Sequence, residues 1–374
     1  GGSVSLRAIV ALACGLGARL AEPGEFTKRA FLNGRIDLAQ AEAVLDCIQA
    51  KTDAFLRVST HQLKGELSTE LEGIRAALMD RYVRIEAVVN FPEDDTGAGA
   101  GPDSPAGEAR EALAAAKARV DGLLRSSEHG RILKEGIKIV ICGKANVGKS
   151  SLLNALLKTP RAIVSDIAGT TRDTIEEAAQ IKGIPFQLVD TAGILEPRNL
   201  IEEEAIRRSH LYIEGADLVL FVFDAAGVLT EDDERLMRVV DGQNVLAVLN
   251  KSDLSQKIDK ARIKKNYGAP RTLSVSALKG SGIDKLEDII LENIWHEKKI
   301  DTHGILVSNL RHINALKAAQ ETLARALRNL DDGLSLEFIS EEIKVAVNFL
   351  DSITGRNIDE DLLDAIFSQF CIGK

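Results

Sequence analysis

Aromatic side chains are scarce in this chain of 374 residues, which carries one Trp, three Tyr and eleven Phe, 4% in all. It also lacks any apolar run approaching the ~20 residues that a membrane-spanning helix needs, which points away from a membrane. A secretory signal is missing too. The opening Gly1-Gly-Ser-Val-Ser-Leu-Arg7 and the apolar stretch to Cys14 have neither an initiator Met nor a basic leader, so they read as a cut chain end with something upstream absent. The only cysteines, Cys14, Cys47, Cys142 and Cys371, are scattered without metal-ligand spacing. That excludes a disulfide framework or zinc site and points to a reducing cytoplasm. A net charge of −9 excludes a broad surface for coating nucleic acid, but leaves room for a local basic patch that touches an RNA. The remaining composition, 45% hydrophobic and 28% charged, is that of a soluble protein, and the length predicts two or three domains.

From Asp37 to about Asn90 the chain is rich in Ala, Leu, Glu, Gln and Arg. Leu63, Leu67, Leu71, Ile74, Leu78, Tyr82, Ile85 and Val89 recur every three or four residues, which predicts one long amphipathic helix ending at Phe91-Pro92. The acidic, Gly/Pro-rich stretch from Glu93 to Gly107 reads as a loop, and a further helix is expected over 107–127. Between Ile137 and Trp295 apolar strands alternate with amphipathic helices, the pattern of a largely parallel α/β sheet. Strands are expected over 138–142, 175–181, 186–189, 218–223, 245–249 and 272–275, with Lys182-Gly-Ile-Pro185 short enough for an antiparallel hairpin. Helices return near 309–329, 336–351 and 359–367. The simplest organisation is one helical domain assembled from both flanks, with the α/β domain inserted between them.

The strongest motif is Gly143-Lys-Ala-Asn-Val-Gly148-Lys149-Ser150, a complete G-x-x-x-x-G-K-S loop between a predicted strand and the helix beginning at Ser151. In this setting the backbone N–H groups of Asn146, Val147, Gly148 and Ser151 can curl round phosphates. Lys149 reaches the β/γ-phosphates, and the Ser150 hydroxyl ligates Mg²⁺. Asp190-Thr191-Ala192-Gly193 ends a strand where an aspartate can hold the magnesium water shell and a glycine amide can meet a γ-phosphate. Asn250-Lys251-Ser252-Asp253 matches guanine: Asp253 can accept two hydrogen bonds from the base while the Lys251 stem packs on the ring. Ser276-Ala277 suits an amide contact to the guanine oxygen, so GTP is the expected ligand. The segment Ser165-Asp166-Ile167-Ala168-Gly169-Thr170-Thr171 lies where a switch must reach the nucleotide, with Thr171 as second Mg²⁺ ligand. After Gly193 stands Ile194, which cannot orient an attacking water, so an acceptor is sought in Glu202-Glu203-Glu204.

Three stretches carry a closer likeness: Pro23-Gly-Glu-Phe-Thr-Lys-Arg-Ala-Phe-Leu-Asn-Gly34 with Asp37-Leu-Ala-Gln-Ala-Glu-Ala-Val44, Asp166-Ile-Ala-Gly-Thr-Thr-Arg-Asp173, and the terminal Phe370-Cys-Ile-Gly-Lys374. On these the chain resembles the MnmE (TrmE) family of tRNA-modification GTPases. The resemblance implies a Ras-like P-loop GTPase domain over 134–298, inserted into a discontinuous helical domain of 23–133 and 299–374, with 1–22 a remnant of an N-terminal folate-binding domain. It implies a potassium ion held by Asn146 with oxygens of Ser165, Ile167 and Thr170, taking the place of an arginine finger. It selects Glu202 as the water-positioning acid and matches Ser150 and Thr171 to the magnesium ligands. Arg35 and Lys374 resemble contributions to a one-carbon tetrahydrofolate pocket. Cys371 matches a cysteine proposed to act in modification, beside the alternative of a buried terminal thiol. Ala145 departs from the family's usual proline and Ser165 from its common threonine. The implied protein is a cytoplasmic homodimer working with the FAD-containing protein MnmG on carbon 5 of the wobble uridine of tRNA, with GTP hydrolysis coupled to pairing of the GTPase domains. A ribosome-assembly GTPase switch is the alternative, since it shares the phosphate loop and guanine motif.

Overall fold

The computed structural model describes residues 2–90, 104–157, 176–190, 211–295, 304–371 and 373. The chain divides into two compact units, one of Gly1–Ala50, Leu56–Gly130 and Gly304–Lys374, the other of Lys51–Phe55 and Arg131–His303.

The first unit is helical. It contains α1 (Ser3–Gly15), α2 (Glu25–Leu32), α3 (Leu38–Gln49), most of α4 (Asp53–Leu63), α5 (Glu66–Asn90) and most of α6 (Pro105–Glu135). Its core joins Leu67, Leu71, Ile74, Leu78 and Ile85 of α5 to Leu113 and Val120 of α6 and to apolar residues of the C-terminal flank. The expected single helix through Leu63 is in fact two. Gly65 adopts φ +87° between α4 and α5, and Gln40 holds the break from a distance. The Gln40 side-chain amide donates to the Leu63 carbonyl at 2.9 Å, while its oxygen accepts the Asp37 N–H at 3.0 Å in the capping box of α3. The next helix is longer than the 107–127 expected. Pro105 supplies a first-turn residue that needs no N–H partner, and the Ser126 and Ser127 hydroxyls donate back to helix carbonyls, so those polar residues do not stop it.

A second apolar cluster packs Leu38 and Ala41 of α3 against Leu363, Phe367 and Phe370. There the Gly24 N–H donates to the Cys371 carbonyl at 3.4 Å, and Lys28 pairs with Asp364. Two of the stretches that carry the family likeness, one near each end of the chain, therefore meet in one place.

The second unit holds a six-stranded sheet in the order β2-β3-β1-β4-β5-β6, with β1 (Ile137–Cys142), β2 (Glu176–Ile181), β3 (Ile184–Asp190), β4 (Leu218–Asp224), β5 (Val245–Asn250) and β6 (Thr272–Ser274). All pairs are parallel except β2 with β3. That hairpin turns on Lys182 (φ 49°) and Gly183 (φ 89°), the two positive angles a two-residue turn of matching twist requires. β4 and β5 are buried almost throughout, as strands covered on both faces must be. Helices α7 (Lys149–Leu157), α8 (Glu231–Val239), α9 (Lys260–Tyr267) and α10 (Ile283–Trp295) belong to this unit. The C-terminal flank then adds α11 (Leu310–Asp331), α12 (Leu336–Thr354) and α13 (Glu360–Phe367) to the first unit. Asn309 and Asp359, read from sequence as helical, are instead N-caps whose side chains accept backbone N–H groups.

Candidate functional site

The site is assembled at the C-terminal ends of β1, β4 and β5, where a doubly wound sheet opens to ligands. From β1 the chain passes Gly143 and runs to Gly148, then enters α7 at Lys149. The cradle leaves no room at its glycines: a Cβ on Gly143 would lie 2.4 Å from the Val222 carbonyl, and one on Gly148 would lie 2.3 Å from Asn250 Nδ2. Between them Asn146 takes φ 61°, a left-handed conformation that asparagine tolerates.

The guanine-type motif is tied to this loop atom by atom. Asn250, 2% exposed, donates from Nδ2 to the Val147 carbonyl at 2.9 Å and accepts the Ala277 N–H on Oδ1 at 3.0 Å. Lys251, itself at φ 62°, donates from Nζ to the Asn146 carbonyl at 2.7 Å and pairs with Asp224 Oδ2 at 2.6 Å. The Ala277 amide assigned from sequence to a guanine oxygen thus holds Asn250 in the structure. Asp253 is exposed, and Ser276 donates its hydroxyl to Asp253 Oδ1 at 2.6 Å. That hydrogen bond holds the carboxylate below the ordinary range, which keeps it anionic for the N–H edge of a base. Lys149 is 6% exposed and donates to the carbonyls of Gly143 and Lys144 at 2.8 and 2.9 Å. Ser150 and Ser151 follow in the first turn of α7, and Asp190 ends β3 in register with Ile141.

Lys144, Asp224 and Asp233 also belong to this arrangement, although the sequence reading did not single them out. Lys144 Nζ lies 2.9 Å from Asp233 Oδ2, and Asp233 is the acidic member of the α8 capping box with Thr230. Asp224 ends β4 beside Asn250 in register, so its place after a strand was the same signal that picked out Asp190. Burial pushes the Cys142 thiol, at the end of β1 directly before Gly143, up to about 12, so it stays a protonated packing group. Cys371 is exposed, contrary to the buried-thiol alternative. Arg35 is exposed just beyond α2. Ser165, Asp166, Ile167, Ala168, Gly169, Thr170, Thr171, Thr191, Ala192, Gly193, Glu202 and Lys374 lie outside the described residues.

A phosphate cradle pinned by an N-K-x-D motif at the open edge of this mixed sheet defines a P-loop guanine-nucleotide protein of Ras-like topology. The MnmE helical domain profile matches residues 38–371, and the profile of the GTP-binding protein TrmE N-terminus matches residues 1–35. Full-length relatives agree. The tRNA modification GTPase MnmE of Desulforamulus reducens is 42% identical across 100% of this chain and 80% of its own length. The protein of the same name from Lysinibacillus sphaericus is 43% identical, again over 100% of this chain and 80% of the relative. That of Bacillus subtilis is 41% identical over 100% of this chain and 81% of its own. The chain belongs to the MnmE family of tRNA modification GTPases.

Proposed function

We propose that this protein hydrolyses GTP in the modification of tRNA, serving carbon 5 of the wobble uridine together with an FAD-containing MnmG partner, as a cytoplasmic homodimer. The observation that carries the reading is the lock between guanine motif and phosphate loop: Asn250 on the Val147 carbonyl and Lys251 on the Asn146 carbonyl. Through it, occupancy of the base site and the backbone of the phosphate loop share one set of hydrogen bonds. Ser150, with Thr171, would hold Mg²⁺, and the ion would offset charge on the phosphates.

Asn146 suits a potassium role. Its backbone oxygen is engaged by Lys251, while its exposed side-chain amide makes no hydrogen bond to a described residue and offers a neutral hard oxygen. Bound there with oxygens of Ser165, Ile167 and Thr170, the ion would supply positive charge toward the phosphates. Glu202 is the residue we assign to positioning water. Arg35 and Lys374 are assigned to a one-carbon tetrahydrofolate, with Cys371 the exposed thiol near the same chain end.

Nucleoside analysis of tRNA from a strain deleted for this gene tests the proposal. Loss of the aminomethyl and carboxymethylaminomethyl groups from wobble uridine is expected. Normal modification would overturn the reading in favour of a ribosome-assembly switch. The potassium role has its own check, in which turnover in KCl should exceed that in NaCl at equal ionic strength by about tenfold or more. Equal rates would remove it.

A further inference from the structure

The chain is acidic overall, with net charge −9, yet between Lys251 and Gly280 it carries eight basic residues against two acidic ones. Six of the eight, from Lys257 to Arg271, lie on or beside α9 in the GTPase unit, where Ile263 is buried. Lys257, Lys264, Lys265 and Arg271 are exposed, and Lys260 is half-buried. Asp259, the one acidic residue between Lys257 and Arg271, spends its carboxylate as the N-cap on the N–H groups of Ala261 and Arg262, at 3.0 and 3.1 Å. Arg262 is matched by Glu234 at 2.6 Å. The other five cations have no ion-pair partner among the described residues.

Many cations elsewhere are spent on carboxylates. In the helical unit Arg75, Arg119, Arg311, Arg325 and Arg356 each engage a carboxylate. A helix dipole accounts for Lys264 and Lys265 in the last turn of α9, but not for Lys257, Lys260 or Arg271, which lie outside that turn. Like charges gathered without counter-charges repel one another and add nothing to the fold.

From this local concentration of unpaired positive charge we infer that the α9 face of the GTPase unit is an RNA-docking surface that grips the phosphate backbone of tRNA. The inference rests on the tRNA reading above and adds to it the place of contact. Charge complementarity selects the partner: a protein whose net charge repels RNA needs a local positive face to hold it. The mode of contact follows from residue type. Tyr267 is the sole aromatic residue of α9 and is half-buried, so the surface has no stacking platform for unpaired bases. Lysine and arginine without aromatics hold phosphates and set orientation; they do not read sequence. With a helix only about 12 Å long the footprint covers a few phosphates. Binding through it is therefore modest and steeply salt-dependent.

The test compares the full chain with the variant Lys257→Gln, Lys264→Gln, Lys265→Gln, Arg271→Gln, titrated against an unmodified tRNA transcript with a wobble uridine across a KCl series. The variant is expected to bind about tenfold more weakly near 0.1 M salt, with the slope of log affinity against log salt falling by about one per lost contact. GTP turnover without RNA should be unchanged. If turnover falls as well, the double variant Lys257→Gln, Arg271→Gln, which leaves α9 intact, decides the matter by the same readout. Unchanged affinity and slope would overturn the inference while leaving the wobble-uridine proposal standing, and would suit a face that meets an acidic protein. Absence of tRNA binding by the parent chain would also overturn it, and the nucleoside analysis would then judge the wider reading alone.

Discussion

Replacing Gly148 by Ala is expected to lower guanine-nucleotide affinity by a hundredfold or more while leaving the fold intact. Two costs combine. The residue sits at φ +95°, where a Cβ is strained by about 1–3 kcal/mol. The new methyl group would also stand 2.3 Å from Asn250 Nδ2, the atom that donates to the Val147 carbonyl. Asn250 cannot step aside, since it is 2% exposed and its Oδ1 is held by the Ala277 N–H. The contact must therefore break a buried hydrogen bond, at about 1–3 kcal/mol, and with it the alignment of phosphate loop and guanine motif. At 1.4 kcal/mol per tenfold change, the combined loss of about 3 kcal/mol or more corresponds to the stated effect. Titration with a fluorescent GDP measures it, and circular dichroism checks the fold. Gly242→Ala is the control, because Gly242 has a similar φ of +80° but nothing within 4 Å of an added Cβ. Its expected cost is strain alone, with nucleotide binding unchanged. Affinity within threefold of the parent for Gly148→Ala would mean that this lock does not govern the site.

What could be read from the sequence follows from how each feature is encoded. The phosphate loop, the guanine motif and the Lys182-Gly183 hairpin are contiguous strings whose chemistry needs no partner elsewhere in the chain, and their positions follow directly. The buried strands were legible because apolar runs bounded by polar turns have one economical use, and their ends moved by only a residue or two. Features held together from afar were not legible. The stripe Leu63 to Val89 keeps its spacing across Lys64-Gly65, so periodicity shows one helix; the break depends on Gln40, 23 residues earlier, capping the Leu63 carbonyl. Lys144 was an unspecified position of the loop motif until Asp233, 89 residues on, gave it a partner. The unpaired state of the α9 lysines is likewise invisible in composition, because it depends on where the carboxylates have gone.

Glu42→Gln should destabilise the helical unit by about 3–5 kcal/mol at neutral pH, with little effect on nucleotide binding. Glu42 projects from α3 into a nearly closed site. Its Oε2 lies 2.6 Å from His312 Nε2 and 2.7 Å from an Arg311 nitrogen, and Oε1 accepts the Arg311 Nε–H at 3.0 Å. The same guanidinium donates to the carbonyls of Ser352 and Ile353 at 2.5 and 2.9 Å, so one carboxylate joins α3, α11 and the last turn of α12. Burial acts to raise the Glu42 pKa, but the charge and hydrogen bond of His312, together with those of Arg311, outweigh it and hold the group at about 2. Glutamine keeps the shape but leaves a largely enclosed guanidinium, 20% exposed, without its anion, which is costlier than removing the whole pair. Because the folded-state pKa is depressed, the stability that Glu42 contributes is complete above the unfolded value, about 4.3, and is lost as pH falls toward 2. The difference between parent and variant should therefore shrink as pH falls below about 5. Denaturant titration of the helical unit at several pH values measures both the size and the trend. A deficit under 1 kcal/mol at neutral pH, or one that fails to shrink below about pH 5, would show that the cluster is hydrated and does not tie the three helices together.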